Sequence, residues 1–201
     1  IESFIMPFFL DIETISTKAN AAILSVGCVY VDAILPTTTY EDILSNSIYV
    51  KFDVKDQVDR LHRHVEKRTV DWWMKQAPMV RDFAMKPTSR DVKVEIGLGI
   101  LGTWINETRV SRNEQCWIRG FMDSTTLEDL TSQLELPSVF PYNNYRDVRT
   151  AIDLLYPHTT SGYVEVDPTR CVGFDVSKVI KHHPVHDSAY DAAMLIYGKQ
   201  E

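Results

Sequence analysis

Cysteine is scarce in this sequence. Cys28, Cys116 and Cys171 are an odd number, and none belongs to a Cys-x-x-Cys pair. That disfavours a disulfide framework or a thiolate zinc site and predicts a reducing, cytoplasmic compartment. Cys28 and Cys116 fall in apolar stretches, where cysteine usually serves as a small buried hydrophobe. Long apolar runs are missing too. No stretch approaches the roughly 20 residues of a membrane span, so no membrane partner is expected and the protein should be soluble. Residues Ile1 to Leu10 carry no basic leader and are interrupted by Pro7, which makes a poor signal peptide. Repeats, low-complexity tracts and an evident linker are absent, and 201 residues suit one well-buried core, so a single domain over residues 1–201 is expected.

An excess of positive charge is the last thing lacking. The net charge is −7, which argues against a firm grip on long duplex nucleic acid. Basic residues are nonetheless clustered locally, at Arg60 to His64 and at Lys178 to His183. Two bound divalent cations would bring the charge of −7 to −3.

Hydrophobic periodicity supplies the fold. Phe4 to Thr14 reads as a first strand, Ala21 to Ala33 as a second and the alternating Ser47 to Asp53 as a third, with no helix between them. Helical spacing follows at Thr69 to Met79 and at Ser89 to Glu107, where Ser89 and Asp91 are candidate caps. Gln115 to Phe121 reads as a short strand and Ser124 to Leu136 as a helix. Tyr145 to Val148 forms a fifth strand leading into a helix through Leu155, and an irregular Pro157 to His183 precedes a last helix from Asp187 to Tyr197. This order predicts an α/β fold. Its mixed five-stranded sheet has three antiparallel strands, then parallel ones, with helices on both faces.

Asp11 and Glu13 lie two apart at the end of an apolar strand, so their side chains share a face. Paired hard oxygen ligands suit Mg²⁺ or Mn²⁺. An isolated Asp-x-Glu is more often a solvated strand end. The C-terminal segment His186-Asp187-Ser188-Ala189-Tyr190-Asp191 shifts that balance, because a carboxylate on the last helix can reach back to the strand pair. His186 is expected just before the first turn of that helix, at the mouth of the site, with Asp187 as a candidate cap. The alternative is a surface histidine beside a capping aspartate.

These residues resemble the DEDD superfamily of 3'→5' exonucleases: Asp-x-Glu on the first strand, an Asp after a later strand, and His-x4-Asp at the last helix. Here the pattern is met by Asp11 and Glu13, by Asp123 in the segment Trp117 to Asp123, and by His186 and Asp191. The histidine subtype fits. The tyrosine subtype does not, since Asp187 stands where its tyrosine would be. Within the histidine subtype the chain looks most like the phage exonuclease A (DexA-like) group. The likeness rests on F-x-x-D-x-E-T at Phe8 to Thr14, T-x-x-W-W-x-x-Q-x-P at Thr69 to Pro78, W-x-R-G at Trp117 to Gly120 and R-D-x-R-T at Arg146 to Thr150. A second kinship is to oligoribonuclease. One residue is missing around Met122 relative to the pattern, which leaves Asp129 and Asp147 as alternatives to Asp123.

The resemblance implies a ribonuclease-H-like fold and two Mg²⁺ or Mn²⁺ ions held by Asp11, Glu13, Asp123 and Asp191. It also implies that His186 takes a proton from the attacking water and that 5'-mononucleotides are released. Substrate contacts are expected from Thr14, Trp72, Gln76 and Arg149, with Lys178 and Lys181 as further phosphate candidates. In the helix from Thr69, the residues Val70, Trp73, Ala77 and Val80 share a core face, so Trp72 points elsewhere and is a candidate either for stacking on a terminal base or for a second core tryptophan. His182 and His186 could suggest zinc, but Pro184 between them argues against a helical ligand pair. The expected partner is the 3' end of single-stranded DNA, with RNA as the close alternative and a catalytically inactive binding module as a third reading. A homodimer is left open, and a phage-encoded enzyme would act in the host cytoplasm.

Overall fold

The computed structural model describes residues 8–31, 38–109, 111 and 113–200. In chain order the elements are β1 (Phe8–Thr14), β2 (Ile23–Tyr30), α1 (Tyr40–Ser45), β3 (Ser47–Lys51), α2 (Val54–Leu61), α3 (Lys67–Trp73) and α4 (Pro78–Met85). They continue with α5 (Val94–Thr108), β4 (Cys116–Ile118), α6 (Met122–Gln133), β5 (Tyr145–Asp147), α7 (Val148–Leu155) and α8 (Pro184–Tyr197). One five-stranded sheet has the order β3-β2-β1-β4-β5. The β1–β2 and β2–β3 pairs are antiparallel, and β4 and β5 are added in parallel. This is the ribonuclease-H-like arrangement that the resemblance implies.

The alternation of side chains along each strand divides the core. Phe8, Leu10 and Ile12 point to one face of β1, where Leu98, Leu101 and Ile105 of α5 and Leu127 and Leu130 of α6 pack. Phe9 points to the other, against α7 and α8, and Trp117 does the same from β4. Asp11 and Glu13 continue the period of Phe9, so both carboxylates emerge beneath α8. That helix is buried on almost every side and lies on the sheet through Ala189, Ala192 and Ala193, whose small side chains permit a close approach. The approach is closest at Gly27, opposite Asp11 on β2. A Cβ there would lie 2.3 Å from the Val185 amide nitrogen, so glycine is required.

Several expected boundaries are corrected. The first strand, expected from Phe4, is described from Phe8, because the preceding residues lie outside the described ones. Residues 32 and 33 of the second strand do so as well. The first three strands are not joined without helices, since α1 intervenes between β2 and β3, started by a reciprocal Thr39–Asp42 capping box. Helix α2 carries no counterpart in the sequence reading. Asp53 caps it, and the buried Gln57 closes two hydrogen bonds on β2, donating to the Ile23 carbonyl at 2.8 Å and accepting from the Ile23 amide at 2.9 Å. The helix expected over residues 69–79 breaks in two. Pro78 forces Ala77 to an extended conformation and becomes the first residue of α4, so Ala77 is exposed instead of joining the core.

Ser89 and Asp91 do not cap α5, whose N-cap is Lys93. The Asp91 carboxylate instead accepts from the Thr88 amide and hydroxyl. The last helix begins three residues before its expected start, at Pro184, because proline suits a first-turn position that needs no amide donor. His186 therefore lies inside α8, not ahead of it.

Replacing Gly27 by Ala should wedge α8 off the sheet and lower stability by about 1–3 kcal/mol, as overpacking does. Urea denaturation checks this through a lower midpoint at unchanged slope.

Candidate active site

Five carboxylates from three elements meet at the end of β1. Asp11 and Glu13 come from β1, Asp123 from the first turn of α6, and Asp187 and Asp191 from α8, where a four-residue spacing puts them on one face. Burial and mutual repulsion act on all of them in the same sense. The Asp11 carboxyl is held well above the usual carboxylate range by burial and by Glu13, Asp123, Asp187 and Asp191 around it. Glu13 is raised by burial, then by Asp187 and Asp123. Asp123 is raised by burial and by Asp191, with Arg149 opposing. Burial pushes Asp187 up to about 7, against the hydrogen bond from the His182 amide. One oxygen of Asp11, Oδ2, is buried without a hydrogen-bond partner among the described residues. Buried acids so arranged stay neutral or take up cations, and a hard-oxygen donor set fits Mg²⁺ or Mn²⁺.

The imidazole beside these acids is that of His182. Its Nδ1 lies 3.9 Å from Glu13 Oε1, and its ring stands edge-on to Trp72 and Trp73 at centroid distances of 4.9 and 5.8 Å. Its backbone is left-handed, with φ of 62°, and its amide donates to Asp187 Oδ2 at 2.8 Å. Asp187 thus ties down the turn before α8 without being its N-cap residue, which is His183. One potential ligand atom from each of Glu13, His182 and Asp187 lies within 4.8 Å of the others. Burial, then Lys181, lowers the His182 pKa, which favours the neutral ring.

His186 is differently placed from its expected position at the mouth of the site. As a first-turn residue of α8, it sets its ring 5.0 Å from His183, and the carboxylate acting on its charge is Glu41 of α1. Its Nδ1 is buried without a hydrogen-bond partner among the described residues. Asp191 does join the acids, but its Oδ1 is engaged by Arg119, with Nε at 2.8 Å and Nη2 at 2.7 Å. The same guanidinium donates to the Gly162 carbonyl at 2.8 Å and lies over the Tyr163 ring at 4.1 Å.

Of the alternatives for the third acid, Asp129 is ion-paired with Arg63. Asp147 accepts from the Gly120 amide and from the Thr150 amide and hydroxyl, holding the turn after β4 and the start of α7. Asp123 alone of the three is among the charges that act on Asp11 and Glu13.

Trp72 is 43% exposed and Trp73 1%, which separates the solvent-facing tryptophan from the core one. Trp72 borders a pocket of about 370 Å³ that also takes in Glu13, Thr14, Arg68 and Met122. The Thr14 hydroxyl donates to the Ser16 carbonyl at 2.7 Å. Gln76 is not at this pocket: its amide donates to the Trp72 carbonyl, turned back on its own chain. Arg149 is exposed and close enough to lower the pKa of Asp123 and Asp191. Lys178 and Lys181 are exposed, with Lys178 3.9 Å from Asp175.

The sequence reading weighed His182 only as a zinc candidate and Asp187 only as a cap, and it gave Arg119 no role of its own. A signal for two of them exists, because His-x4-Asp occurs twice in overlapping register, as His182 to Asp187 and as His186 to Asp191. Pro184 falls within the first copy only.

The family described as 3'-5' exoribonuclease Rv2179c-like domain matches residues 6–197. An exodeoxyribonuclease of Enterobacteria phage T4 is 27% identical over 207 aligned residues, covering 95% of this chain and 88% of that protein. With the match running almost from end to end, the chain belongs to the 3'-5' exoribonuclease Rv2179c-like domain family and is a nuclease of the 3'→5' exonuclease type.

Proposed function

We propose that the enzyme shortens single-stranded DNA from its 3' end, releasing 5'-mononucleotides with the help of two divalent cations. The observation that carries this reading is the convergence of Glu13, His182 and Asp187 beside Asp11 and Asp123. Asp11, Glu13, Asp123 and Asp187 would hold the ions, which supply positive charge against the scissile phosphate. In this assignment His182 and Asp187 take the places that the spacing had offered to His186 and Asp191. The choice of DNA rests on the phage relative, described as an exodeoxyribonuclease. The family description, exoribonuclease, favours RNA as the second reading.

The chain's own residues would then divide the work. Neutral His182 accepts a proton from water as the oxygen attacks phosphorus. The bond from phosphorus to the 3'-oxygen of the preceding nucleotide breaks, and that oxygen leaves with a proton as the new 3'-hydroxyl. Asp187 holds the His182 backbone in its left-handed turn and so fixes where the ring stands. Trp72 offers an exposed face for the terminal base, a contact worth ~1–3 kcal/mol where it forms. Arg149 would meet the phosphates on the opposite side of the acids.

His182→Ala should slow turnover by ~10²–10⁴-fold, the usual cost of a lost general base, while His186→Ala stays near wild type. Single-turnover digestion of 5'-labelled DNA and RNA oligonucleotides measures both and ranks the substrates. A dead His186→Ala enzyme beside an active His182→Ala enzyme would restore the other register.

Asp187→Asn and Asp191→Asn should separate chemistry from stability. The first should abolish turnover in a folded protein. The second removes half of a buried ion pair and should cost about 3–5 kcal/mol in urea denaturation.

Mn²⁺ should raise the melting temperature of the wild type, and chelator should reverse the rise. Asp11→Asn, relieved of repulsion, should melt higher than wild type without metal and show no response to Mn²⁺. A wild type indifferent to Mn²⁺ and Mg²⁺ would sink the metal assignment.

A further inference from the structure

The far side of the molecule from the acids carries a feature that nuclease chemistry does not use. Helix α5 packs Val94, Leu98, Leu101 and Ile105 into the core. Its opposite face is apolar as well: Ile96 is 55% exposed and Ile100 45% exposed, with Trp104 half-buried alongside and Ile48 of β3 bordering the same shallow groove. A 15-residue helix with apolar residues on both sides is half of a packing arrangement unless something covers the outer face.

Three glycines interrupt this helix, although glycine is among the poorest helix formers. Gly97 is explained by the fold, since a Cβ there would meet the Phe52 ring at 2.4 Å. Gly99 and Gly102 are not, because a Cβ at either would touch nothing within 4 Å. Gly99 borders the exposed groove beside Ile96 and Ile100, where a missing side chain lets another backbone come close.

The charges at the ends of this face identify the visitor. Lys93, Ile96, Ile100, Thr103 and Glu107 follow one another at steps of three and four residues and form a single stripe. The stripe is positive at the helix N-terminus and negative in its last turn, opposite to what the helix dipole favours on its own. Lys93 and Glu107 are each seven residues from Ile100. We infer that α5 pairs with α5 of a second copy of this chain, antiparallel about a two-fold axis at Ile100. Each Lys93 then faces Glu107 of the other copy, while Ile96 packs near Thr103. Lys93 lies 3.6 Å from Asp56 within its own chain and is 58% exposed, and Glu107 is exposed, so both are reachable. Such an interface is isologous and closes as a dimer, leaving both acid clusters open.

The test is sedimentation equilibrium of the wild type and of charge-reversed variants, with circular dichroism and nuclease assays as controls. The wild type should be dimeric. Lys93→Glu or Glu107→Lys alone should weaken the dimer Kd by at least about tenfold through like-charge contacts, and the double reversal should restore it. Ile100→Glu should give a folded, active monomer. A wild type that stays monomeric at all concentrations would overturn the inference. A dimer indifferent to both single reversals and to Ile100→Glu would also do so, because it would use another face.

Discussion

Carboxylate crowding under a packed helix is the constraint around which this molecule is arranged. Asp11 and Glu13 lie on the central strand of the sheet, where α8 covers them with its two aspartates, and Asp123 joins them from the first turn of α6. Each acid loses its hydration and faces other acids, so every one is pushed toward its neutral form. A fold selected for stability alone would not place them so. The repulsion becomes useful only when positive charge is brought in, which is the physical reason to read the cluster as a cation and phosphate site.

Two devices keep that cluster assembled. Gly27 lets α8 sit almost on the backbone of β2, which brings Asp187 within reach of Glu13. Arg119 supplies a permanent cation at the inner edge, pairing with Asp191 and tying the Gly162–Tyr163 turn to the same point. The two helix aspartates thereby acquire different tasks although they differ by one turn. Asp191 is neutralised by the protein itself, whereas Asp187 faces Glu13 and His182. Buried ion pairs of this kind contribute little net stability but are costly to break.

Much of the sheet was legible from alternation, including the shared face of Asp11 and Glu13 and the parallel addition of β4 and β5. Helices that depend on local chemistry with weak periodicity were not. Helix α1 is six residues long and starts from a capping box, and α2 is tied to the sheet by Gln57, a contact 34 positions away in sequence. Pro78 and Pro184 act in opposite ways on the expected boundaries, one splitting a helix and the other starting one early. Trp72 and Trp73 were separable by helical phase. Gln76 was not, because its turn back onto the Trp72 carbonyl follows from the break at Ala77.

The sequence by itself determined the class of fold, the strand that carries Asp11 and Glu13, and the presence of a His-x4-Asp spacing near the C-terminus. Tertiary structure decided which histidine of the two overlapping copies of that spacing stands beside Glu13. The two histidines differ by one helical turn in sequence, but Pro184 begins the helix between them. His182 is left in a left-handed turn beside Glu13, while His186 is carried round the helix toward Glu41. Spacing fixes the distance along a chain, and only the start of a helix fixes the direction in which its side chains leave it.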